Sequence, residues 1–436
     1  MKKSETKEHD SCSINSEDKL YNWAGNIFYR AKNVVYPGTI EEVQEYVQKH
    51  MQVKVLGTRH CFNRIADSSE ELLCTRGLNR VVELDRIQNT VTIEGGIKYG
   101  ELAQFLFSHG YALHNLASLP HISVAGSIAT GTHGSGMKLK NLAGAVLEIE
   151  MIKGDGDLVR LSREHDEQFF AAVVGLGALG IVTKLKLDIE KSFEVRQFVF
   201  TDLPLSAVKE HFTEIMSSAY SVSLFTDWKS SFINEVWLKS REEKDLQLLE
   251  LNSFYGAAAA KENLHPIKSI PAMNCTEQLG VPGPWHERLP HFKMGFMPSA
   301  GNELQSEYFI PLANAVEALS IIAGLAELIW PYLYVSEIRT IAADEFWMSP
   351  CFQQDSVAIH FTWKDNWEAV RQILPVIEKG LLPLGGRPHW GKLFTMTSAD
   401  ISPFYPKWVE FKKIADFYDP QKKFRNDFLN QYVFDY

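Results

Sequence analysis

Two short segments in the second half of the chain carry charged and hydroxyl side chains at the spacing of a single strand face. In Tyr334-Val335-Ser336-Glu337-Ile338-Arg339-Thr340, Glu337 and Arg339 stand two residues apart, so an extended backbone projects both to one side. In Val357-Ala358-Ile359-His360-Phe361-Thr362-Trp363, His360 and Thr362 do the same, and Val357, Ile359, Phe361 and Trp363 form an apolar stripe on the opposite face. Lys392 adds a cation after the aromatic turn His389-Trp390-Gly391. If the sheet is covered on both sides, these polar groups need partners or a ligand, because each one left unsatisfied costs about 1–3 kcal/mol. A half-exposed sheet would leave the same face in water.

A second kind of chemistry is suggested by small residues. Val55-Leu56-Gly57-Thr58-Arg59-His60-Cys61 follows directly on a predicted strand. The run from Ser118 to Gly136 contains Ser123, Gly126, Thr130, Gly131, Thr132 and His133 among other glycines and hydroxyls. Such residues let backbone N–H groups approach a ligand and converge on an anion, and a diphosphate needs a nest of that kind. Two flexible surface loops are the plain alternative. Against it, Ile122, Val124 and Ile128 are interleaved in the second run and should bury its backbone.

Short elements must hold these groups. Ile40, Val43 and Val47 lie at helical spacing, and QVKVLG and VTIEGG read as strands. YGELAQFLFSHG reads as a helix, and VLEIEMIKGDGDLVRLS as a hairpin turning at Gly154-Asp155-Gly156-Asp157. Irregular alternation of strands and helices predicts an α+β fold. Beyond about Phe193 longer segments rich in Trp, Tyr and Phe take over, including LQSEYFIP. The expected division is a disordered tail over 1–19, one domain over 20–190, a second over 191–393, and a C-terminal segment over 394–436.

Composition narrows the classes. The chain has 436 residues, 45% hydrophobic and 22% charged, which describes a globular protein of two to three domain-sized units. With Lys plus Arg at 44 against Asp plus Glu at 54, the net charge of -10 makes nucleic acid a poor partner. Five scattered cysteines without a CxxC pair fit neither a disulfide framework nor a thiolate metal site. No apolar leader core or membrane-length stretch is visible, so a cytoplasmic location is expected.

Three motifs fail on context. Gly175-Leu176-Gly177-Ala178-Leu179-Gly180 matches GxGxxG, but a helical pattern precedes it and a strand pattern follows, the reverse of a dinucleotide fingerprint. It reads as a tight helix-to-strand turn. Gly131 to Lys138 has one residue too many for a phosphate-binding P-loop and no hydroxyl after the lysine. His286 and His291 are five apart with Pro290 between them, wrong for a zinc-binding helix. No metal is expected.

The surviving segments resemble the FAD-binding domain of the vanillyl-alcohol-oxidase (PCMH) type. Asn22 to Asn26 (NWAGN), SLPHISVAGS, Tyr220 to Trp228, Asn274 to Phe292 and Arg387 to Lys392 are similar to alditol oxidases, relatives of the aldonolactone oxidases, from residue 20 onward. The resemblance implies FAD joined covalently through His60. It also implies cofactor contacts from Val55, Leu56, Gly57, Thr58, Arg59, Cys61, Ser118, Ser123, Gly126, Thr130, Gly131, Thr132, His133, Ile181 and His389. Family loops commonly read glycine before the histidine and serine after it, where this chain has Arg59 and Cys61.

It further implies a substrate set of Ser118, Glu337, Arg339, Thr362 and Lys392, with His360 adjacent. A polyol suits these groups, because each hydroxyl both donates and accepts. The expected reaction is oxidation of a primary hydroxyl of a sugar alcohol such as xylitol or sorbitol, with dioxygen as acceptor and hydrogen peroxide released. Lys392, Arg339 and His360 are the expected catalytic residues, Lys392 as base or as a charge stabiliser beside the reduced flavin. An aldonolactone oxidase or dehydrogenase is the nearest alternative, and a flavin-free sugar-binding protein a more distant one. The expected protein is a monomer without a membrane span.

Overall fold

The computed structural model describes residues 20–241, 253–295 and 303–434, so the expected 1–19 tail lies outside the described residues. The α+β expectation holds. Near the start, a parallel three-stranded sheet runs in the order Asn33–Val35, Glu71–Cys74, Val53–Leu56. The helix Ile40–Lys49 crosses between two of these strands, with Thr39 accepting from the Glu42 N–H at its start. Its Val43 and Val47 are fully buried beside Val53 and Leu73.

An antiparallel sheet follows in the order Val81–Asp85, Thr90–Glu94, Ile181–Asp188, Val146–Ile152, Leu158–Ser162. The last two strands form the predicted hairpin. The helical pattern ahead of Gly175 is realised only as the short helix Phe169–Ala172, with Asp166 accepting from the Ser162 N–H in the turn before it. The run from Ser118 to Gly136 is not all loop. It contains the short helix Val124–Ala129, whose Val124 and Ile128 are fully buried.

The second half is built on one large sheet. Its order is Ser253–Phe254, Ala257–Ala259, Glu194–Pro204, Phe232–Ser240, Ser221–Thr226, Leu333–Ile341, Ser356–Lys364, Glu303–Pro311, Arg387–Pro388. Residues paired across neighbouring strands share a face. One face carries Leu238, Val236, Leu224, Ile338, Ile359, Phe361 and Trp363, which join one core with helices Ala315–Gly324 and Trp367–Leu381. On the other face Glu337, His360 and Glu307 stand in one cross-strand row, and Val335, Thr362 and Gln305 in the next. That face looks toward the first domain.

The C-terminal segment returns to the first domain. Asn426 Nδ2 donates to the carbonyls of Arg64, Ile65 and Asp67, and Lys423 Nζ donates to the Val47 carbonyl. Among the described residues no single helix is long and apolar enough to cross a membrane.

Candidate active site

One cavity runs between the polar sheet face and the two small-residue segments. Its wall includes Val55 to Cys61, Ser118, Ser123, Gly126, Thr130, Thr132 and His133 from the first domain. From the other side come Glu303, Gln305, Glu307, Glu337, Arg339, His360, Thr362, His389 and Lys392. Two expected cofactor contacts lie off the wall. Ile181 alternates away from its cavity-lining neighbours Gly180 and Val182 and is buried with Val43, Val47 and Val53. Gly131 sits at a turn beside Pro350.

The first segment and the helix Val124–Ala129 form a cradle with no room for side chains. A β-carbon on Gly57 would stand 2.6 Å from Ser123 Oγ, and one on Gly126 would stand 2.7 Å from the same oxygen. Thr58 Oγ1 accepts from the Ser123 N–H at 3.1 Å and locks the two segments together. Close backbone approach of this sort is what a diphosphate requires. His60 lines the same cavity. Its Nδ1 lies 3.1 Å from Thr58 Oγ1, while its buried Nε2 has no partner. Burial, aided by neighbouring His121, pushes the imidazole down to about pKa 4, so it is neutral with a lone pair to use. Trp23 stacks on its ring at a centroid distance of 5.4 Å.

Arg59, an expected cofactor contact, lines the cavity with the rest of its loop. Its Nη1 donates to the Tyr21 carbonyl, and its φ of 64° lies in the left-handed region that favours glycine. The glycine common in related loops thus has a backbone reason. Cys61 is half-buried, and desolvation pushes its thiol up to about 12, against thiolate formation.

The polar face is organised around Glu307, whose side chain has no solvent exposure. Lys392 Nζ donates to its Oε2 at 2.7 Å. Arg339 Nη2 donates to Oε1 at 3.0 Å, and His133 Nε2 lies 3.2 Å from the same oxygen. Despite burial, these neighbours hold the Glu307 carboxyl well below the usual range, Lys392 most strongly. His133, expected in the phosphate cradle, has its other nitrogen 2.8 Å from the Gly134 carbonyl of its own loop, so only Nε2 faces this cluster. Burial lowers the Lys392 pKa although Glu307 opposes the shift.

Gln305 donates to Glu303 Oε1 at 2.7 Å, which turns its own oxygen toward His360 Nε2 at 3.1 Å. His360 must therefore donate from Nε2, leaving Nδ1 as an acceptor. Burial, with Lys392 nearby, pushes its pKa down to about 3. Arg339 Nη1 reaches Ser118 Oγ at 3.5 Å, bringing that residue to the cluster.

Several cavity residues escaped the sequence reading. Glu303, Gln305 and Glu307 alternate with Leu304, Ser306 and Tyr308 in the same period-two pattern that exposed Glu337 and His360, so their signal was present. His291 comes from an irregular loop, where it stood out only in a rejected zinc motif and within the family-like segment Asn274 to Phe292. The Gly175 to Gly180 turn is the helix-to-strand connection expected, but Gly175, Gly177 and Gly180 also line the cavity.

A glycine cradle and an orphaned imidazole facing a buried polar sheet, on this two-domain α+β scaffold, define an FAD-dependent oxidoreductase. Residues 31–162 match the FAD binding domain family, and residues 297–432 match the D-arabinono-1,4-lactone oxidase family. The fold is shared with cholesterol oxidase from B. sterolicum, at a TM-score of 0.77 and 14% identity over 95% of this chain and 96% of that one. The chain belongs to the alditol oxidase family: it is 46% identical over 411 residues to alditol oxidase of Streptomyces sp., covering 94% of this chain and 97% of that protein. Similarity to L-gulono-1,4-lactone dehydrogenase of Mycobacterium tuberculosis is 25% over 94% of this chain and 98% of that one, and to L-gulonolactone oxidase of Bos taurus 26% over 95% and 98%.

Two substitutions test this geometry. Arg59→Gly relieves the left-handed backbone and is expected to raise unfolding stability by about 1 kcal/mol, measured by denaturant titration. Glu307→Gln leaves the buried Arg339 and the half-buried Lys392 without their shared anion and is expected to cost about 3 kcal/mol in the same assay.

Proposed function

We propose that the protein oxidises the primary hydroxyl of a sugar alcohol such as xylitol or sorbitol to the aldehyde, with FAD attached through His60 and dioxygen as the final acceptor. The carrying observation is the buried row Glu337, His360, Glu307 with Arg339, Thr362 and Lys392, which faces the cradle across one cavity. Such a wall matches several adjacent hydroxyls and offers little to an apolar guest. FAD, when bound, supplies the acceptor for the hydride leaving C1 and passes both electrons on to dioxygen.

The chain's own residues bind, orient and take the proton. Glu337 and Arg339 bracket the polyol chain, with Thr362 and Ser118 adding hydroxyl partners. His360 accepts a hydroxyl hydrogen bond at Nδ1, the only nitrogen that Gln305 leaves open. Lys392 is the proposed base. Burial lowers its pKa, which eases loss of the proton it carries beside Glu307; the amine then left can still donate to Glu307 while receiving the substrate proton. A positive charge so formed sits 2.7 Å from the Glu307 carboxylate, which stabilises it.

The D-arabinono-1,4-lactone oxidase match over residues 297–432 favours a second reading, oxidation of an aldonolactone in the same cavity. Peroxide release on xylitol and sorbitol, compared with release on a 1,4-lactone, separates the two. Faster turnover of the polyols is expected, and turnover of the lactone alone overturns the proposal. Acid precipitation of the purified protein should leave the yellow colour in the pellet; colour in the supernatant would remove the covalent bond to His60.

Lys392→Met should abolish flavin reduction by xylitol while leaving the protein yellow. Lys392→Arg keeps the charge without a usable base and should be nearly as inactive. Recovery of reduction by arginine would assign the lysine a purely electrostatic role.

A further inference from the structure

Behind Glu337 lies a buried pair that the proposed reaction does not use. Lys239, on the strand Phe232–Ser240, is 1% exposed. Its Nζ donates to the Leu289 and Pro290 carbonyls and lies 3.1 Å from His291 Nδ1. A lysine nitrogen already turned to two carbonyls meets Nδ1 as a donor, so Nδ1 accepts and the imidazole proton is fixed on Nε2. That Nε2 donates to Glu337 Oε1 at 2.7 Å. Phe225 and Trp237 hold the ring edge-on, at centroid distances of 5.5 and 5.3 Å.

Glu337 Oε1 therefore serves the protein. It takes His291 and stands 3.5 Å from Arg339 Nε. Among the described residues Oε2 has no partner, and Glu337 lines the cavity. Without the imidazole, the neighbouring guanidinium, already 3.5 Å away, competes for both carboxylate oxygens as a fork, a geometry that arginine and carboxylate favour, at the expense of its bond to Glu307. Both Glu337 oxygens would then be turned to the guanidinium and away from a guest, and Arg339 would be drawn from Glu307.

We infer that His291, with its tautomer set by Lys239, is a positioning residue that keeps one oxygen of Glu337 turned to the substrate's hydroxyls. The inference rests on the polyol reading above. It makes Lys239 and His291 specificity elements although neither is expected to take part in hydride or proton transfer.

The test uses the flavin-loaded enzyme with xylitol. His291→Leu should raise KM roughly tenfold or more with a much smaller change in kcat, since a hydrogen bond to a charged group is lost. His291→Gln places an amide donor near the position of Nε2 and should recover most of that loss. Lys239→Met should raise KM in the same direction. In a Glu337→Gln background the leucine substitution should add nothing further, because its effect passes through that carboxylate.

Unchanged KM in His291→Leu, or full additivity with Glu337→Gln, would overturn the inference while wild-type turnover of xylitol upheld the reading beneath it. Wild-type protein that does not oxidise xylitol would overturn that reading itself. If His291→Leu fails to fold, Lys239→Met decides, and a wild-type KM there also overturns the inference.

Discussion

A single buried carboxylate holds the site together. Glu307 meets Lys392 from the turn after Arg387–Pro388, Arg339 from a neighbouring part of the same sheet, and His133 from the small-residue run of the first domain. Isolated, an anion in that position would be neutralised by desolvation; paired, it stays ionised and orders the groups around it. Arg339 and Lys392 are spaced by this shared anion and not by each other. The cavity's electrostatics therefore follow from where one glutamate stands in the strand Glu303–Pro311.

Around that anchor the two halves of the protein divide the work by backbone type. The first half supplies close approach: Gly57 and Gly126 meet over Ser123 with no space for a β-carbon, and His60 is pinned between Thr58 and Trp23. Further bonds from Asn22 to the Cys61 carbonyl and from Asn26 to the Phe62 carbonyl hold that loop. The second half supplies a flat array. A wide antiparallel sheet can be apolar on one face and polar on the other because its side chains alternate, and here the apolar face is sealed by helices. Covering both faces turns an ordinary alternating pattern into a binding surface.

The alternation of Glu337 with Arg339, and of His360 with Thr362, was legible from period two alone, as were the first helix and the hairpin. The family and its cofactor were legible from the small-residue segments and the widely spread resemblance. What escaped depended on contacts between distant parts of the chain. Glu307 shows the right period but not its importance, which arises only when Lys392, Arg339 and His133 converge on it. His291 and Lys239 are 52 positions apart and meet across a loop with no regular pattern. His133 read as part of a small-residue loop, and its approach to Glu307 across the cavity gave no signal in the sequence.

The central claim is that one cavity seats a flavin between the glycine cradle and the polar sheet, tethered at residue 60. A crystal structure of the protein as purified tests it most directly. The account predicts continuous density from the His60 imidazole into a tricyclic ring, a diphosphate against Gly57 and Gly126, and the Glu307–Lys392 pair intact on the facing wall. Density for the cofactor elsewhere, or a His60 ring turned to solvent over an empty cavity, would contradict it.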